Sequence, residues 1–417
     1  MATARKLDLA IIGSGPAGLA AAVRARQLGI RDVVVFERDQ RPGGILPQCI
    51  HNGFGVQKFK EELTGPEYAN RYIKMAQAHG VDIELDTTIL EIGRNRDLVA
   101  VSETRGLRNY RCKSIILAMG CRERPRGAVG IPGTRPAGVF TAGQAQRLVN
   151  IEGYMPGENI VVLGSGDVGM IMARRLTLEG AAIKAVTEIQ PYTSGLIRNE
   201  VQCLHDFNIP LLLSHTVAEI HGDRRVEGVT IVEVDTGWNP IGGTEKFIEC
   251  DTLLLSVGLI PENELSRMAG VALDPSTGGA FVDEFLETRV PGIFSCGNVL
   301  HVNDYVDEVS AEGEIAAQGA QARIKGKFAG AKNPVAITGD ETIGQVVPQT
   351  ISGQRPVTLY IRVRHPLKNL TLRIGDIFEN KIPYARPGEM IRVRLPQKVF
   401  TDMEPLKTGL KVSCEKR

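Results

Sequence analysis

Two glycine-rich segments have the residue types and spacing of turns that bind phosphate. Residues 13–18 read Gly-Ser-Gly-Pro-Ala-Gly, and residues 164–169 read Gly-Ser-Gly-Asp-Val-Gly. In such a segment the first glycine permits a tight turn, the second lets the backbone approach a pyrophosphate, and the third allows a helix to pack closely on a strand. The helix that follows would offer free N–H groups and the positive end of its dipole to the phosphates. Both segments are therefore candidates for dinucleotide binding.

A glutamate follows each glycine segment at a matching distance. Glu37 closes the apolar run at residues 33–36, and Glu188 closes the run at residues 182–187, each 24 residues after the first glycine of its segment. An acidic residue at this point of a βαβ unit accepts hydrogen bonds from the ribose hydroxyls of an adenosine. One Gly-x-Gly-x-x-Gly is a weak signal, but here the strand, the turn, the helix and the acidic strand end occur together twice. Two dinucleotide sites are therefore predicted.

Charge at the second site indicates which nicotinamide nucleotide it would bind. Glu188 would repel the 2′-phosphate of NADP, and the next residues, Ile189 and Gln190, supply no cation in its place. NAD(H) is therefore favoured over NADP(H), unless a cation from elsewhere, such as Arg198, reaches this position.

The elements around these motifs predict an α/β protein with a β domain at the C-terminal side. Up to residue 330, short buried strands alternate with helical stretches, which is typical of a parallel sheet covered by helices. Beyond a polar connector at residues 325–334, apolar and polar residues alternate with period two, notably at 357–363, 370–374 and 391–395. Half-buried antiparallel strands have this pattern, so residues 331–417 are predicted to form a small all-β domain.

A net charge of +1 conceals an uneven distribution. Residues 331–417 carry 15 Lys and Arg against 8 Asp and Glu, a net charge of +7, and the preceding 330 residues carry −6. The Arg-rich face of the β domain has two interpretations: a solvated strand surface, or a docking face for an acidic partner protein. The overall balance argues against nucleic-acid binding, which needs a strongly basic surface.

Composition and cysteine spacing exclude other classes of protein. The 417 residues are 43% hydrophobic and 23% charged, as in ordinary globular proteins of two or three domains. No apolar run approaches the roughly 18 residues of a spanning helix, and the N-terminal apolar run is too short for a signal peptide, so we expect a cytoplasmic protein without a transmembrane segment. The seven cysteines form no CxxC pair. Free thiols, and no metal or iron–sulfur site, are therefore expected.

Two such units in this order resemble the two-dinucleotide-binding-domain flavoproteins, the superfamily of the pyridine nucleotide–disulfide oxidoreductases, across residues 5–328. Other segments that carry the likeness are residues 41–44, 116–120, 256–261 and 292–298. The resemblance implies a glutathione-reductase-like FAD/NAD(P) fold, in which the first unit binds FAD and an inserted second unit binds the nicotinamide nucleotide. The implied division is an FAD domain in two parts (1–125 and 259–330), the inserted NAD domain (126–258) and the C-terminal β domain (331–417).

The resemblance also implies which residues contact the two nucleotides. Those expected at FAD lie in the first turn, at strand ends and in the loops beside them: Ile12, Gly13, Gly15, Pro16, Ala17, Gly18, Phe36, Glu37, Arg38, Gly43, Gly44, Ile45, Ile89, Ala118, Met119, Gly120, Gly297, Asn298 and Val309. Those expected at NAD(H) are Gly164, Gly166, Asp167, Val168, Gly169 and Glu188. The helix that begins near residues 307–310 would point its N-terminus at the flavin and stabilise the anionic reduced form.

Two departures from the family pattern shape the functional expectation. Asn298 stands where the family usually has Asp; it can hydrogen-bond a ribityl hydroxyl but brings no negative charge. The redox disulfide is also missing, because residues 44–55 contain only Cys49, and in the second domain Cys203 and Cys250 are 47 positions apart. A dithiol mechanism of the usual kind therefore has no residues to use.

Residues 46–55, 192–199 and 297–313 look closer to one subgroup of the superfamily. It comprises flavoprotein subunits that accompany a second, substrate-oxidising flavoprotein, such as glycerol-3-phosphate, D-hydroxyproline or opine dehydrogenases. Some members carry an iron–sulfur ligand cluster that this chain lacks. The resemblance thus implies a partner flavoprotein or iron–sulfur subunit, within a homo- or hetero-oligomer.

Hydride transfer between nicotinamide and flavin requires positioning more than acid–base groups. Cys49 and His51 are the candidates for side chains beside the flavin, where a thiolate could form a charge-transfer contact or a sulfenic acid. The alternative is a packed thiol and a histidine bonded to a loop carbonyl. His301, Asp304 and Asp307 likewise could shuttle protons or form a subunit contact, or could be loop and cap residues.

Two functional interpretations remain open at this point. In the first, NAD(H) exchanges a hydride with FAD, and electrons pass to or from a partner protein of a dehydrogenase complex. In the second, the protein is a stand-alone NADH oxidase, peroxidase or CoA-disulfide reductase that uses Cys49. A third, a non-enzymatic interaction protein, is disfavoured because both glycine motifs are intact.

Overall fold

The computed structural model describes residues 4–327, 334–353, 355–401 and 409–416. The chain divides into two units, one formed by Met1–Cys121 together with Pro261–Arg417 and the other by Arg122–Ile260. The boundary predicted between residues 330 and 331 lies outside the described residues, and the remaining predicted boundaries stay predictions.

The described residues form helices and strands in the alternating order that the sequence predicts. The strands are β1 (Arg5–Ile12), β2 (Val33–Phe36), β3 (Asn52–Phe54), β4 (Leu63–Thr64), β5 (Asp82–Glu84), β6 (Thr87–Ile92), β7 (Asp97–Ser102), β8 (Gly106–Leu117), β9 (Cys121–Glu123), β10 (Val139–Thr141), β11 (Asn159–Leu163), β12 (Ala182–Glu188), β13 (Leu211–Leu213), β14 (His215–His221), β15 (Gly228–Glu233), β16 (Lys246–Glu249), β17 (Thr252–Leu255), β18 (Leu259–Pro261), β19 (Ile293–Ser295), β20 (Val335–Gly339), β21 (Ile343–Val347), β22 (Thr350–Ile351), β23 (Val357–Val363), β24 (Leu367–Ile374), β25 (Phe378–Ala385), β26 (Ile391–Leu395) and β27 (Leu410–Lys416). The α-helices are α1 (Pro16–Gln27), α2 (Gly65–Ala78), α3 (Arg126–Val129), α4 (Ala142–Arg147), α5 (Asp167–Leu178), α6 (Ile197–Cys203), α7 (Glu264–Met268), α8 (Val306–Ile324) and α9 (Lys398–Thr401).

The first unit is built on a parallel sheet whose central strands are buried on both faces. β1 pairs in parallel with β2 and β8, β2 pairs with β5, and β8 also pairs in parallel with β19. The antiparallel hairpin of β6 and β7 adds to the N-terminal half of β8. Helices α1 and α8 pack closely at Gly313. A Cβ atom there would lie only 2.2 Å from the carbonyl oxygen of Ala17, so the approach needs a glycine. This brings the N-terminal part of α8 beside the first glycine turn.

The second unit repeats the same design. Its parallel sheet has the order β10-β17-β11-β12-β13, and an antiparallel sheet of β14, β15 and β16 is joined to it in sequence. The two units confirm the predicted α/β fold with two Rossmann-like halves.

The C-terminal residues of the first unit form the predicted β structure, with one short helix, α9. Two sheets, in the orders β22-β20-β27-β24-β25 and β21-β23-β26, enclose an apolar core that includes Leu359, Ile361, Leu372 and Val412. The alternating segments of the sequence correspond to β23, β24 and β26.

The Arg-rich face of these strands is only partly solvated. Arg362 on β23 pairs with Asp304, and Arg392 on β26 pairs with Glu308 in the first turn of α8. Tyr360 alternates with apolar positions of β23 but is itself buried, and its ring lies 5.2 Å from that of His301, centroid to centroid. Arg362 and Arg392 therefore pair with acidic residues of the same unit, and the exposed Arg364 and Arg394 leave both interpretations of the face as predictions.

The Arg362–Asp304 pair is expected to contribute to the stability of the first unit. Arg362→Gln leaves Asp304, whose side chain is 8% exposed, without its cation, so the free energy of unfolding should fall by about 3 kcal/mol. Arg373→Gln is the matched control, because Arg373 pairs with the exposed Glu379 and Glu415 and should contribute less than about 1 kcal/mol. Urea denaturation followed by circular dichroism measures both. Equal losses would show that the pair with Asp304 contributes no more than a solvated one.

Candidate functional site

The first glycine turn joins the end of β1 to the start of α1. Gly13 has a φ of +100°, and a Cβ atom there would lie 2.4 Å from the carbonyl oxygen of Ala118. At Gly18 a Cβ atom would lie 1.9 Å from the carbonyl oxygen of Gly13, so the helix packs directly on the turn. A Cβ atom at Gly15 would meet nothing within 4 Å. Protein atoms thus pack tightly against the turn at Gly13 and Gly18, and the space beside Gly15 is free. A backbone that approaches a pyrophosphate requires this free space at the second glycine.

Glu37 is attached to this turn by hydrogen bonds. Its Oε2 atom accepts from the backbone N–H of Ser14 at 2.8 Å and from the Ser14 hydroxyl at 2.6 Å, and its Oε1 atom accepts from the N–H of Asp39 at 2.9 Å. The side chain is buried, and these donors offset the cost of removing a carboxylate from water. The structure therefore places the acidic strand end and the glycine turn side by side, as the sequence predicts.

Three further segments gather around the first turn. The N–H of Gly43 donates to the carbonyl oxygen of Ser14 at 3.0 Å, and a Cβ atom at Gly44 would lie 2.9 Å from the Cα atom of Gly15. A Cβ atom at Gly297 would lie 3.0 Å from the Cβ atom of Ala17 and 3.1 Å from a methyl carbon of Val309. Because these positions are glycines, the segments approach one another closely and form a narrow cradle, which fits the phosphates and ribityl chain of FAD.

Other residues predicted at the cofactor have different surroundings. Ile12 and Ile89 are buried in the core beside the sheet, and Met119 packs against that core. Phe36 is also a core residue, with its ring 5.0 Å from that of Tyr110. The remainder lie near the turn with part or most of their surface accessible: Pro16, Arg38, Ile45 and Gly120.

Asn298 uses both ends of its amide. Its Oδ1 atom accepts from the N–H of Asn303 at 3.1 Å, and its Nδ2 atom donates to the sulfur of Cys121 at 3.6 Å. An ionised aspartate could not donate to this sulfur, because a carboxylate has no hydrogen; it could only accept from the thiol.

The chain that follows Gly297 is fixed by buried side chains. Glu312 accepts from the N–H of Gly297 at 2.6 Å through Oε2 and contacts Nε2 of His301 at 2.7 Å through Oε1. His301 packs in turn on Tyr360, whose hydroxyl donates to Glu308 at 3.2 Å. The C-terminal strands thereby hold the loop that leads from Gly297 into α8.

Two acidic residues complete this loop. Asp304 accepts from the N–H of Met390 at 2.6 Å in addition to its pair with Arg362. Asp307, in the first turn of α8, accepts from the N–H of Gln57 at 2.8 Å. Both side chains, and that of His301, form hydrogen bonds within the first unit, whereas Nδ1 of His301 and Oδ1 of Asp307 are buried without a hydrogen-bond partner among the described residues.

Cys49 and His51 lie in the loop between a short 3-10 turn (Leu46–Gln48) and β3. The Cys49 thiol donates to the carbonyl oxygen of Ile45 at 3.5 Å, and burial raises its pKa to about 12. The His51 ring contacts the carbonyl oxygen of Asn52 at 3.1 Å and packs 5.0 Å from the Phe54 ring. Near neutral pH the sulfur is a protonated thiol, which is a poor nucleophile.

The second glycine turn repeats the first between β11 and α5. Gly164 has a φ of +95°, and a Cβ atom there would lie 2.2 Å from the carbonyl oxygen of Ser256. The hydroxyl of Ser256 accepts from the N–H of Gly169 at 3.1 Å. Gly166 precedes the helix, and Val168 packs on the core of this unit. The start of α5 therefore differs from that of α1 in one respect: Ser256 takes the N–H of Gly169, and a Cβ atom at Gly166 would lie 3.0 Å from the Ser256 hydroxyl.

Glu188 is buried against the second turn with a larger set of donors. Its Oε2 atom accepts from the N–H of Ser165 at 2.9 Å, from the Ser165 hydroxyl at 2.5 Å and from the Ser194 hydroxyl at 2.8 Å. Its Oε1 atom accepts from the N–H of Gln190 at 3.0 Å. Asp167, the first residue of α5, accepts from the N–H of Leu196 at 2.9 Å, so the loop after β12 lies against this turn.

Sequence reasoning missed the serines that connect these groups. Ser14 and Ser165 occupy the same place in both motifs, between the first two glycines, and that repetition was a signal. Ser194 and Ser256 lie in loops distant in sequence, and no sequence pattern indicated that they contact the second turn. Among the described residues no cluster of His, Cys, Asp and Glu could hold a metal ion. None of the described helices is long and apolar enough to cross a membrane.

Two parallel sheets, each with a glycine turn and a buried glutamate at its carboxyl end, define an enzyme with two Rossmann-like nucleotide-binding units. The family model described as pyridine nucleotide-disulphide oxidoreductase matches residues 7–322, and the chain belongs to this family. It is accordingly an FAD-dependent oxidoreductase that uses a pyridine nucleotide.

Individual relatives have low sequence identity to this chain, between 25% and 28%. An opine oxidase subunit of Agrobacterium tumefaciens (strain Ach5) is 28% identical over 284 residues, 64% of this chain and 55% of that protein. The HcnB subunit of hydrogen cyanide synthase from Pseudomonas protegens is 25% identical over 321 residues, 70% of this chain and 66% of that protein. The matches thus span less than two thirds of either relative. The crystal structure of T. acidophilum thioredoxin reductase superposes with a TM-score of 0.63 at 25% identity, covering 76% of this chain and 98% of that one.

The raised pKa of Cys49 predicts slow alkylation. At pH 8 a thiol with a pKa of about 12 is ionised in only about one molecule in 10⁴, so iodoacetamide should modify Cys49 far more slowly than glutathione, the control thiol. The rate should rise about tenfold per pH unit up to the highest pH at which the protein stays folded. Peptide mass spectrometry at timed intervals gives the rates. A rate that levels off near pH 8 would show an ordinary thiol and contradict the prediction.

Proposed function

We propose that the protein exchanges a hydride between NAD(H) and FAD and relays electrons to or from a partner flavoprotein or iron–sulfur protein, as one component of a glycerol-3-phosphate, amino-acid or opine dehydrogenase-type complex. The observation that carries the proposal is the lack of a pair of redox cysteines. Cys49 is the one cysteine in residues 44–55, and Cys203 and Cys250 are 47 positions apart in the sequence. The electrons therefore need an acceptor or donor outside this chain.

The FAD assignment rests on the first turn and its cradle. Gly13, Gly15 and the start of α1 would hold the pyrophosphate, Glu37 would accept from the adenosine ribose, and Gly44 and Gly297 would line the chain toward the flavin. FAD, when bound there, accepts or gives up the hydride. The protein orients it through backbone N–H groups and the positive end of the α1 dipole, which offset the phosphate charge.

The nicotinamide nucleotide is assigned to the second turn, with Glu188 at its adenosine ribose. NAD(H) is favoured over NADP(H) because a buried carboxylate with no adjacent cation disfavours a 2′-phosphate. Arg198, the cation that could reverse this preference, is exposed on α6, and Ile189 and Gln190 carry no charge.

The partner assignment draws on the relatives. The opine oxidase and hydrogen cyanide synthase proteins that match this chain are both named as subunits of larger enzymes. The charge of the C-terminal strands supports this less than its net value suggests, because Arg362 and Arg392 are paired within the unit. The alternative of a stand-alone oxidase, peroxidase or CoA-disulfide reductase is less well supported, since it needs a Cys49 thiolate.

Nucleotide preference is tested with the FAD-loaded protein and an artificial dye as acceptor. We expect kcat/KM for NADH to exceed that for NADPH at least about tenfold, since a phosphate beside Glu188 lacks a counter-charge. Glu188→Gln should raise KM for NADH about tenfold or more, because hydrogen bonds to a charged acceptor are lost. Glu249→Gln, an exposed glutamate on β16, is the control. Equal KM values for the two variants would remove Glu188 from the nucleotide site.

The role of a partner is tested with Cys49→Ser. This variant should reduce dye with NADH as fast as the wild type, and neither should oxidise a glycerol phosphate, an amino acid or an opine alone. Affinity purification with mass spectrometry, followed by reconstitution with the purified companion, should then give substrate-dependent NAD reduction. Loss of NADH turnover with oxygen, peroxide or disulfide acceptors in Cys49→Ser would instead support the stand-alone enzyme.

A further inference from the structure

The two buried glutamates differ in one hydrogen-bond donor. Oε2 of Glu37 accepts from one backbone N–H and one hydroxyl, both of Ser14. Oε2 of Glu188 accepts from the same two groups of Ser165 and also from the hydroxyl of Ser194. Since a carboxylate oxygen has two lone pairs, the third donor exceeds what Oε2 can accommodate in good geometry.

Ser194 is held in this position by the backbone of its own loop. Its N–H donates to the Ser165 hydroxyl at 2.9 Å, and the N–H of the next residue, Gly195, donates to the carbonyl oxygen of Ser165 at 3.0 Å. A Cβ atom at Gly195 would lie 2.9 Å from the backbone nitrogen of Asp167. The loop is therefore pressed against the turn, and the Ser194 side chain sits beside Glu188 as a consequence of this attachment.

The first turn is bonded to a neighbouring loop in the same way, but that loop has no hydroxyl at the position that corresponds to Ser194. Gly43 donates to the carbonyl oxygen of Ser14 at 3.0 Å, as Gly195 does to that of Ser165. The residue before Gly43 is Pro42, which has neither a hydroxyl nor a backbone N–H. Within one chain, the same turn thus exists with one and with two side-chain hydroxyls on the buried carboxylate.

We propose that Ser194 sets the affinity of the second site by competing with the adenosine ribose for Glu188. The inference rests on the assignment of the nicotinamide nucleotide to this turn. A ribose hydroxyl that binds Oε2 must displace the Ser194 hydroxyl, so the loss of one hydrogen bond offsets part of the free energy that the ribose gains from Glu188. At the first turn only the Ser14 hydroxyl opposes the ribose. This difference suits a resident cofactor at the first site and, at the second, a substrate that leaves after each turnover.

Binding of NAD⁺ to the oxidised, FAD-loaded protein tests the proposal without turnover. We expect isothermal titration calorimetry to show a Kd for NAD⁺ about fivefold lower in Ser194→Ala than in the wild type, since a competing hydrogen bond is removed. Thr193→Val is the matched control, because the neighbouring Thr193 hydroxyl bonds Glu200 and not Glu188. The 2′-deoxyadenosine analogue of NAD⁺ should gain less from Ser194→Ala, since it lacks one of the competing hydroxyls.

The outcomes separate this inference from the assignment beneath it. An unchanged Kd in Ser194→Ala overturns the competition, and a raised Kd shows that Ser194 itself contacts the nucleotide. If Glu188→Gln binds NAD⁺ as tightly as the wild type, the second turn is not the nucleotide site. If Glu188→Gln binds NAD⁺ more weakly than the wild type and Ser194→Ala binds it with an unchanged Kd, the second turn remains the nucleotide site and only the role of Ser194 is removed.

Discussion

Hydrogen bonds between a buried glutamate and a glycine turn are the interaction on which both nucleotide-binding units depend. A carboxylate taken out of water is costly unless donors meet it, and in this protein the turn supplies them. Glu37 and Glu188 each accept from the backbone and the hydroxyl of the serine between the first two glycines. The acidic group, the turn and the first residues of the helix are thereby fixed as one body, with the free N–H groups and the ribose acceptor at a set separation.

A second set of contacts extends from the first site into the C-terminal strands. Gly297, Glu312, His301 and Tyr360 form a continuous chain of hydrogen bonds and ring packing, and all four residues are buried. Beside them, the pair of Arg362 with Asp304 holds the same loop from the outside. The β structure therefore acts on the segment that the family places at FAD, and two of its arginines, Arg362 and Arg392, pair with acidic residues of that segment and the start of α8.

Local features could be predicted from the sequence to the extent that their cause is local. The glycine turns, the helices that follow them and the acidic strand ends occur within about 25 residues, so spacing alone identifies them. The β segments near residues 357–363 and 391–395 were equally visible, because alternation directly reflects a half-buried strand. The alternation does not show that Tyr360 is buried, since the side chain that packs on it, His301, is 59 positions away in sequence.

The sequence by itself determined the fold class, the two nucleotide turns and the lack of a redox disulfide, because each is a matter of residue type and short-range order. Only the tertiary structure decided the state of Cys49, whose pKa depends on how far the surrounding loop excludes water. It alone also showed that Arg362 and Arg392 are paired within the unit and that Ser194 lies on Glu188. Those properties arise from contacts between segments that the chain brings together only when both sheets and their loops have formed.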